Sequence, residues 1–320
     1  MRNSVGVFLY TRSQYPRKER IVRYTKPPFT FEEQADLLIS RGLKTDRDPL
    51  IARLQSTSYF RLSGYLFPFR EAHSDQFRPE TTLDNVWNLC LFDQRLRTLL
   101  IDAIEAIEVF TRTQLAYHFA LQFDPFAYNQ HAHLPNLNHS KFQNWQRRLD
   151  DQTQRSHRAR EEFVVHFFNR YGDEHTRLPI WSLIELMDFG TTLTFYRGIN
   201  DGVKKKLAKH VGVPDAVLTS WLLTLNTVRN RCAHHSRLWN WKTGTPVKLP
   251  FPRKYPEWHQ PPLDNQRIGI VLTLCRHLLN EISPGNSWSD RTLALFDEFP
   301  DVPLAPLGLP ANWRSHPLWN

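Results

Sequence analysis

From residue 83 to residue 121 the chain sets apolar side chains at helical spacing, with Leu96, Leu99, Leu100, Ile104, Ile107, Phe110 and Leu115 along one pattern. A stretch of that length, whether one helix or two, obliges other helices to pack against it. On another face Glu105, Glu108 and Arg112 stand at i, i+3 and i+7. They form a surface ladder worth roughly a few tenths of a kcal/mol per pair, or else Glu108 or Arg112 turns inward to support a site elsewhere.

The flanking segments carry the same period. Thr30 and Glu33 have capping-box spacing ahead of Ala35, Leu37, Leu38 and Ile39, and Gly42 suits a left-handed helix cap. Asp48-Pro49 opens a second helix with Leu50, Ile51 and Leu54 on its apolar side. The aromatic run from Ser58 to Phe69 is expected to pack as core, although interleaved arginine and aromatic rings can also stack on bases. Residues 122–178 read as polar and irregular. Their His131, His133 and His139 lack the partners of a metal site, and Arg147, Arg148, Arg155, Arg158 and Arg160 form a solvated helix face or the border of an RNA path. A helix beginning at Pro179 is expected to stop at Gly190, with another over residues 191–196. A proline-rich loop runs from Trp241 to Pro262, followed by a helix over residues 268–282 and a short one near residues 291–299. Trp313 and Trp319 are expected to pack on the body. No solenoid period is present.

Composition narrows the functions. Glycine is scarce, at 12 in 320 residues, and no phosphate-cradling glycine fingerprint occurs. Lys and Arg outnumber Asp and Glu by 41 to 32, a balance that favours polyanionic partners. Six of the nine net positive charges lie in residues 1–26, where Arg17, Lys18, Arg20 and Arg23 stand among seven basic residues and one acid. This arm is expected either to be solvated or to track phosphates. Three scattered cysteines form no disulfide framework and fit a cytoplasmic protein, and the sequence has no run of apolar residues able to span a membrane.

The densest chemistry lies in residues 228–240. Leu218, Trp221, Leu222, Leu225 and Val228 trace the apolar stripe of a helix whose first turn holds Pro214 and Asp215, and whose end carries Arg229, Asn230, Arg231, Cys232, His234 and His235. Asn226, Asn230 and His234 are four apart and share a face. Arg229 and His234 are five apart, about 140° around an ideal helix. To serve one site, the helix must distort or end between them, or the site must draw on two chains. Arginine can grip a phosphate and histidine can move a proton near neutral pH. A basic helix C-terminus favoured by the dipole and a zinc site on Cys232, His234 and His235 are the other interpretations. The zinc site lacks a companion ligand pair.

The run from Arg229 to His234 resembles the Arg-x4–6-His signature of HEPN-superfamily ribonucleases. With Leu238-Trp239-Asn240 it is similar to the Abi-like abortive-infection proteins of bacteria. Lys26-Pro27 through Arg41-Gly42-Leu43 to the tyrosine-rich run, Ile107-Glu108 with Arg112-Thr113, and the Trp181, Glu185, Phe189-Gly190 pattern extend that resemblance over residues 26–285. It leaves a basic arm (1–25) and a Pro/Trp-rich tail (286–320) outside. The resemblance implies an all-α fold, a HEPN-like helical bundle elaborated with additional helices, and an anti-phage role. It further implies metal-independent RNA cleavage without a cofactor by a homodimer. Arg229, Asn230 and His234 would be catalytic, with Glu108, Arg112, Arg231 and His235 in support. RNA would be the substrate, and a small regulatory RNA a further partner, with Arg17, Lys18, Arg20 and Arg23 as contacts. The alternative is a non-catalytic RNA-binding or toxin-control module that uses the same basic patch.

Overall fold

The computed structural model describes residues 27–320. Twelve α-helices and no strands occur among the described residues, so the fold is all-α. These residues form two compact units. One comprises the described residues up to Ser63 with Phe69–Leu83, the other Gly64–Pro68 with Asp84–Asn320.

In the smaller unit, α1 (Phe31–Ser40) is held by a complete capping box between Thr30 and Glu33. It ends in a Schellman turn, with Gly42 at φ +91° and the Gly42 and Leu43 amides donating to Ile39 and Leu38. Helix α2 (Arg47–Thr57) packs on α1, and Arg47 clamps Asp36 with two hydrogen bonds. Helix α3 (Tyr59–Leu66) carries the aromatic run across the division between the units. That run is not wholly core. Leu62, Tyr65 and Leu66 are buried, but Phe60 and Phe67 are among the most exposed apolar residues. They fall on positions of the helical repeat that face outward.

The larger unit is built on α4 (Leu83–Gln122), one unbroken 40-residue helix. Residues 122–178 are not irregular. They contain α5 (His139–Arg158) and α6 (Glu162–Tyr171). Helix α5 is capped by Asn138 and buries Phe142, Trp145, Gln146 and Leu149, a narrow stripe that its many charged residues conceal in the sequence. The helix at Ile180 is also shorter than expected. Its α7 turn (Ile180–Leu183) tightens to a 3₁₀ turn and ends before Asp188, whose carboxylate accepts the Thr191 amide and caps α8 (Phe189–Gly198). Gly190 therefore lies inside a helix and stops none. A short polar side chain at the cap position outweighs the glycine.

Helix α9 (Asp201–His210) leads to α10 (Asp215–Ala233), which buries Val217, Leu218, Trp221, Leu222, Leu225, Val228 and Cys232. After the proline-rich loop come α11 (Ile268–Ile282) and α12 (Trp288–Glu298). The tail is pinned to the body as expected. Trp313 and Trp319 are buried, and the Trp319 indole donates to Thr273.

Candidate functional site

The sequence ends α10 by a Schellman turn that uses a histidine where glycine is usual. His234 is the cap residue, and His235 takes a left-handed φ of +55°. The His235 and Ser236 amides donate to the Cys232 and Arg231 carbonyls. This reverses the chain, so that Arg237, Leu238 and Trp239 return onto the preceding helices.

That return is received by Asp93, a residue the sequence reading passed over. Its fully buried carboxylate accepts the Leu238 and Trp239 amides (3.0 and 2.6 Å), the Tyr65 hydroxyl (2.7 Å) and the Arg97 guanidinium. Burial, followed by the charge of Asp93, raises the Tyr65 pKa, so its hydroxyl remains a donor. One signal was available. Val86, Leu89, Leu96 and Leu100 are buried at three- and four-residue steps, and Asp93 occupies the missing place in that stripe. Arg237 adds a second tie by donating to the Gly64 carbonyl.

Two turns back along α10, a second cluster forms. Glu108 of α4 is buried and ion-paired to Arg112, which also donates to the Met187 carbonyl before α8. Burial raises the Glu108 pKa, against the opposing charges of Arg112 and Arg229 and with smaller contributions from Asp188 and Glu105. Arg229 thus lies within electrostatic reach of Glu108. Among the described residues it makes no hydrogen bond or ion pair.

Glu108 and Arg112 are paired, with Arg229 in electrostatic reach, and among the described residues no hydrogen bond or ion pair joins His234 to them. Asn230 and His234 are exposed on the outer face, while Arg229 is half-buried. Arg231 is engaged in the turn itself, donating to the Arg237 carbonyl and stacking over Trp241 at 4.6 Å. Cys232 points into the core, where burial pushes its thiol up to about 12. Among the described residues, no group of three His, Cys, Asp or Glu could hold a metal ion. His131 bonds the Leu137 carbonyl, and His133 packs against Phe123. Glu185, whose sequence fitted either a buried or an exposed position, is exposed. Arg17, Lys18, Arg20 and Arg23 lie outside the described residues. No helix among the described residues is long and apolar enough to cross a membrane.

A helical scaffold with a polar cluster between its longest helix and a basic, histidine-bearing helix end defines the class of molecule. A family model described as Abi-like protein matches residues 52–240, more than half of the chain and all of this site. The chain belongs to the Abi-like protein family, and is thus an abortive-infection-type protein of antiviral defence. No curated protein and no solved structure matches it.

Proposed function

We propose that this chain is a HEPN-type endoribonuclease that cuts RNA without a metal and acts as a homodimer. One observation carries the proposal: half-buried Arg229 lies within electrostatic reach of the buried Glu108 and makes no hydrogen bond or ion pair among the described residues. A guanidinium so placed is prepared for a phosphate. In the proposed reaction His234 takes the proton of a ribose 2′-hydroxyl, whose oxygen attacks the adjacent phosphorus. Arg229 stabilises the added negative charge on the phosphoryl oxygens. The bond to the 5′-oxygen breaks as that oxygen takes the proton from the His234 imidazolium, and a 2′,3′-cyclic phosphate remains. Asn230, on the face of His234, orients the imidazole or the phosphate. Arg231 and His235 hold the turn that presents them.

Arg229 and His234 diverge around α10, so in this reading a site pairs the arginine of one chain with the histidine of its partner. The test is cleavage of end-labelled single-stranded RNA in EDTA. The expected result is a cyclic-phosphate product, with His234→Ala and Arg229→Ala each slower by about 10²-fold or more. Mixing the two inactive variants should restore activity that neither has alone. Loss of wild-type activity in EDTA, or equal cutting of DNA, would overturn the mechanism. RNA binding without cleavage would favour the binding module.

A further inference from the structure

A second feature lies on α8, away from the α10 turn. A cavity of about 790 Å³ opens between α5 and α8, with Lys141, Arg147, Arg148 and Arg197 on its walls against one carboxylate, Asp151. The helices are locked by Trp145, which stacks on Phe195 at 5.4 Å and donates its indole N–H to the Thr191 carbonyl. The walls are therefore fixed by buried aromatics, with the four cations exposed at the rim and Arg147 bonded to Asn144. The side chains of Lys141, Arg148 and Arg197 make no hydrogen bond or ion pair among the described residues. A cleft lined by charges of one sign focuses the field and raises the local concentration of counter-ions.

The arrangement is a trough, which favours a strand over a single phosphate. Lys141, Asn144 and Arg148 stand at i, i+3 and i+7 on α5, a row about 10 Å long. Across from it Thr194 and Arg197 line the cavity from α8, and Gly190 lies on that same helical face at i and i+4 from Thr194. A Cβ at Gly190 would come within 4.0 Å of the Asn226 amide on α10. The face of α8 that starts beside Asn226 and the Glu108 cluster therefore ends, two turns later, in the basic cavity.

We infer that this trough grips the phosphodiester backbone of a single-stranded nucleic acid that continues along the α8 face toward Asn226 of α10. The inference shares with the proposed function the premise of a nucleic-acid partner, but it is read in binding and not in cleavage. The probe is a fluorescent 12-nucleotide RNA, 2′-O-methylated throughout so that it offers no attacking hydroxyl. Its affinity for the full chain is measured across a salt series. Arg148→Gln with Arg197→Gln should reduce the slope of log K against log salt by about 1.4, since each lost contact to a single strand removes about 0.7. Extrapolated from a common value at about 1 M salt, that slope gives roughly 25-fold weaker binding at 0.1 M. Arg158→Gln with Arg160→Gln removes the same charge from beyond the cavity and should change the slope much less. ATP and inorganic triphosphate serve as competitors. Equal losses in the two double variants would reduce the effect to net charge and overturn the inference. Saturable ATP binding lost in the cavity variant, with RNA affinity unchanged, would overturn the strand in favour of a free nucleotide. If cleavage is never seen yet the cavity variant alone weakens binding, the trough stands and the nuclease reading falls.

Discussion

Replacing Asp93 by Asn should be among the most damaging isosteric changes in this protein. The carboxylate is fully buried and faces only donors: two backbone amides, a tyrosine hydroxyl and Arg97, whose side chain is 9% exposed. Asn keeps one acceptor oxygen, which can still receive the Leu238 and Trp239 amides. Its NH₂ must then meet the Arg97 guanidinium donor against donor, and it can bond the Tyr65 hydroxyl only if that group turns from donor to acceptor. Removing one partner of a buried ion pair costs about 3–5 kcal/mol, because the remaining charge is left uncompensated. A domain's whole stability is about 5–15 kcal/mol. Urea unfolding followed by tryptophan fluorescence should show a lower midpoint with an unchanged m-value. Adding Arg97→Met should recover part of the loss, since no charge then stays buried alone. In native-state hydrogen exchange, the Leu238 and Trp239 amides should lose more protection than amides in α11. A loss below about 1 kcal/mol, within the range of one ordinary hydrogen bond, would refute the claim that Asp93 fastens the motif's return.

Two further outcomes follow from the packing. Because burial raises the Glu108 pKa, the folded protein holds that proton more tightly than the unfolded chain does. Its contribution to stability is therefore full below the unfolded carboxyl range and is lost as pH rises through the folded value. Glu108→Gln removes this slope, so unfolding midpoints from about pH 4 to 8 should shift in the variant's favour as pH rises, and parallel curves would contradict the assignment. At Gly269 a Cβ would stand 2.7 Å from a Leu309 methyl and 2.9 Å from the Leu307 carbonyl oxygen. Gly269→Ala should therefore lower stability by about 1–3 kcal/mol, measured as a fall in Tm, and an unchanged Tm would show that the tail yields freely.

What the sequence disclosed was whatever local chemistry decides. The Thr30–Glu33 box, the left-handed Gly42 and the apolar stripe of α11 stand as expected because each depends on residues within a few positions. The single helix α4 was open to one reading or two, since periodicity does not show where a helix stays continuous. Gly190 misled because residue type was weighed without its neighbour, the stronger cap at Asp188. Helix α5 was hidden because its long polar face outweighs a stripe of four buried residues. Asp93 was hidden for another reason. Its donors come from α3, from its own helix and from a turn 145 residues later, and only the tertiary fold brings them together.

The candidate site divides along the same line. The spacing of Arg229 and His234 posed a choice among a distorted helix, a helix that ends between them, and a site made by two chains. Helix α10 does end between them, after Ala233, yet this does not join the two side chains. His234 keeps a near-helical φ of −88°, and the reversal comes one residue later, at the left-handed His235. The helix still sets where the His234 Cα and Cβ lie, so its direction remains about 140° from Arg229. Arg229 is half-buried within electrostatic reach of Glu108, and His234 is exposed. Helix geometry alone does not make two side chains so directed converge on one phosphate. In the proposed dimer the partner chain supplies the missing group, which is why complementation between Arg229→Ala and His234→Ala tests the assembly as well as the chemistry.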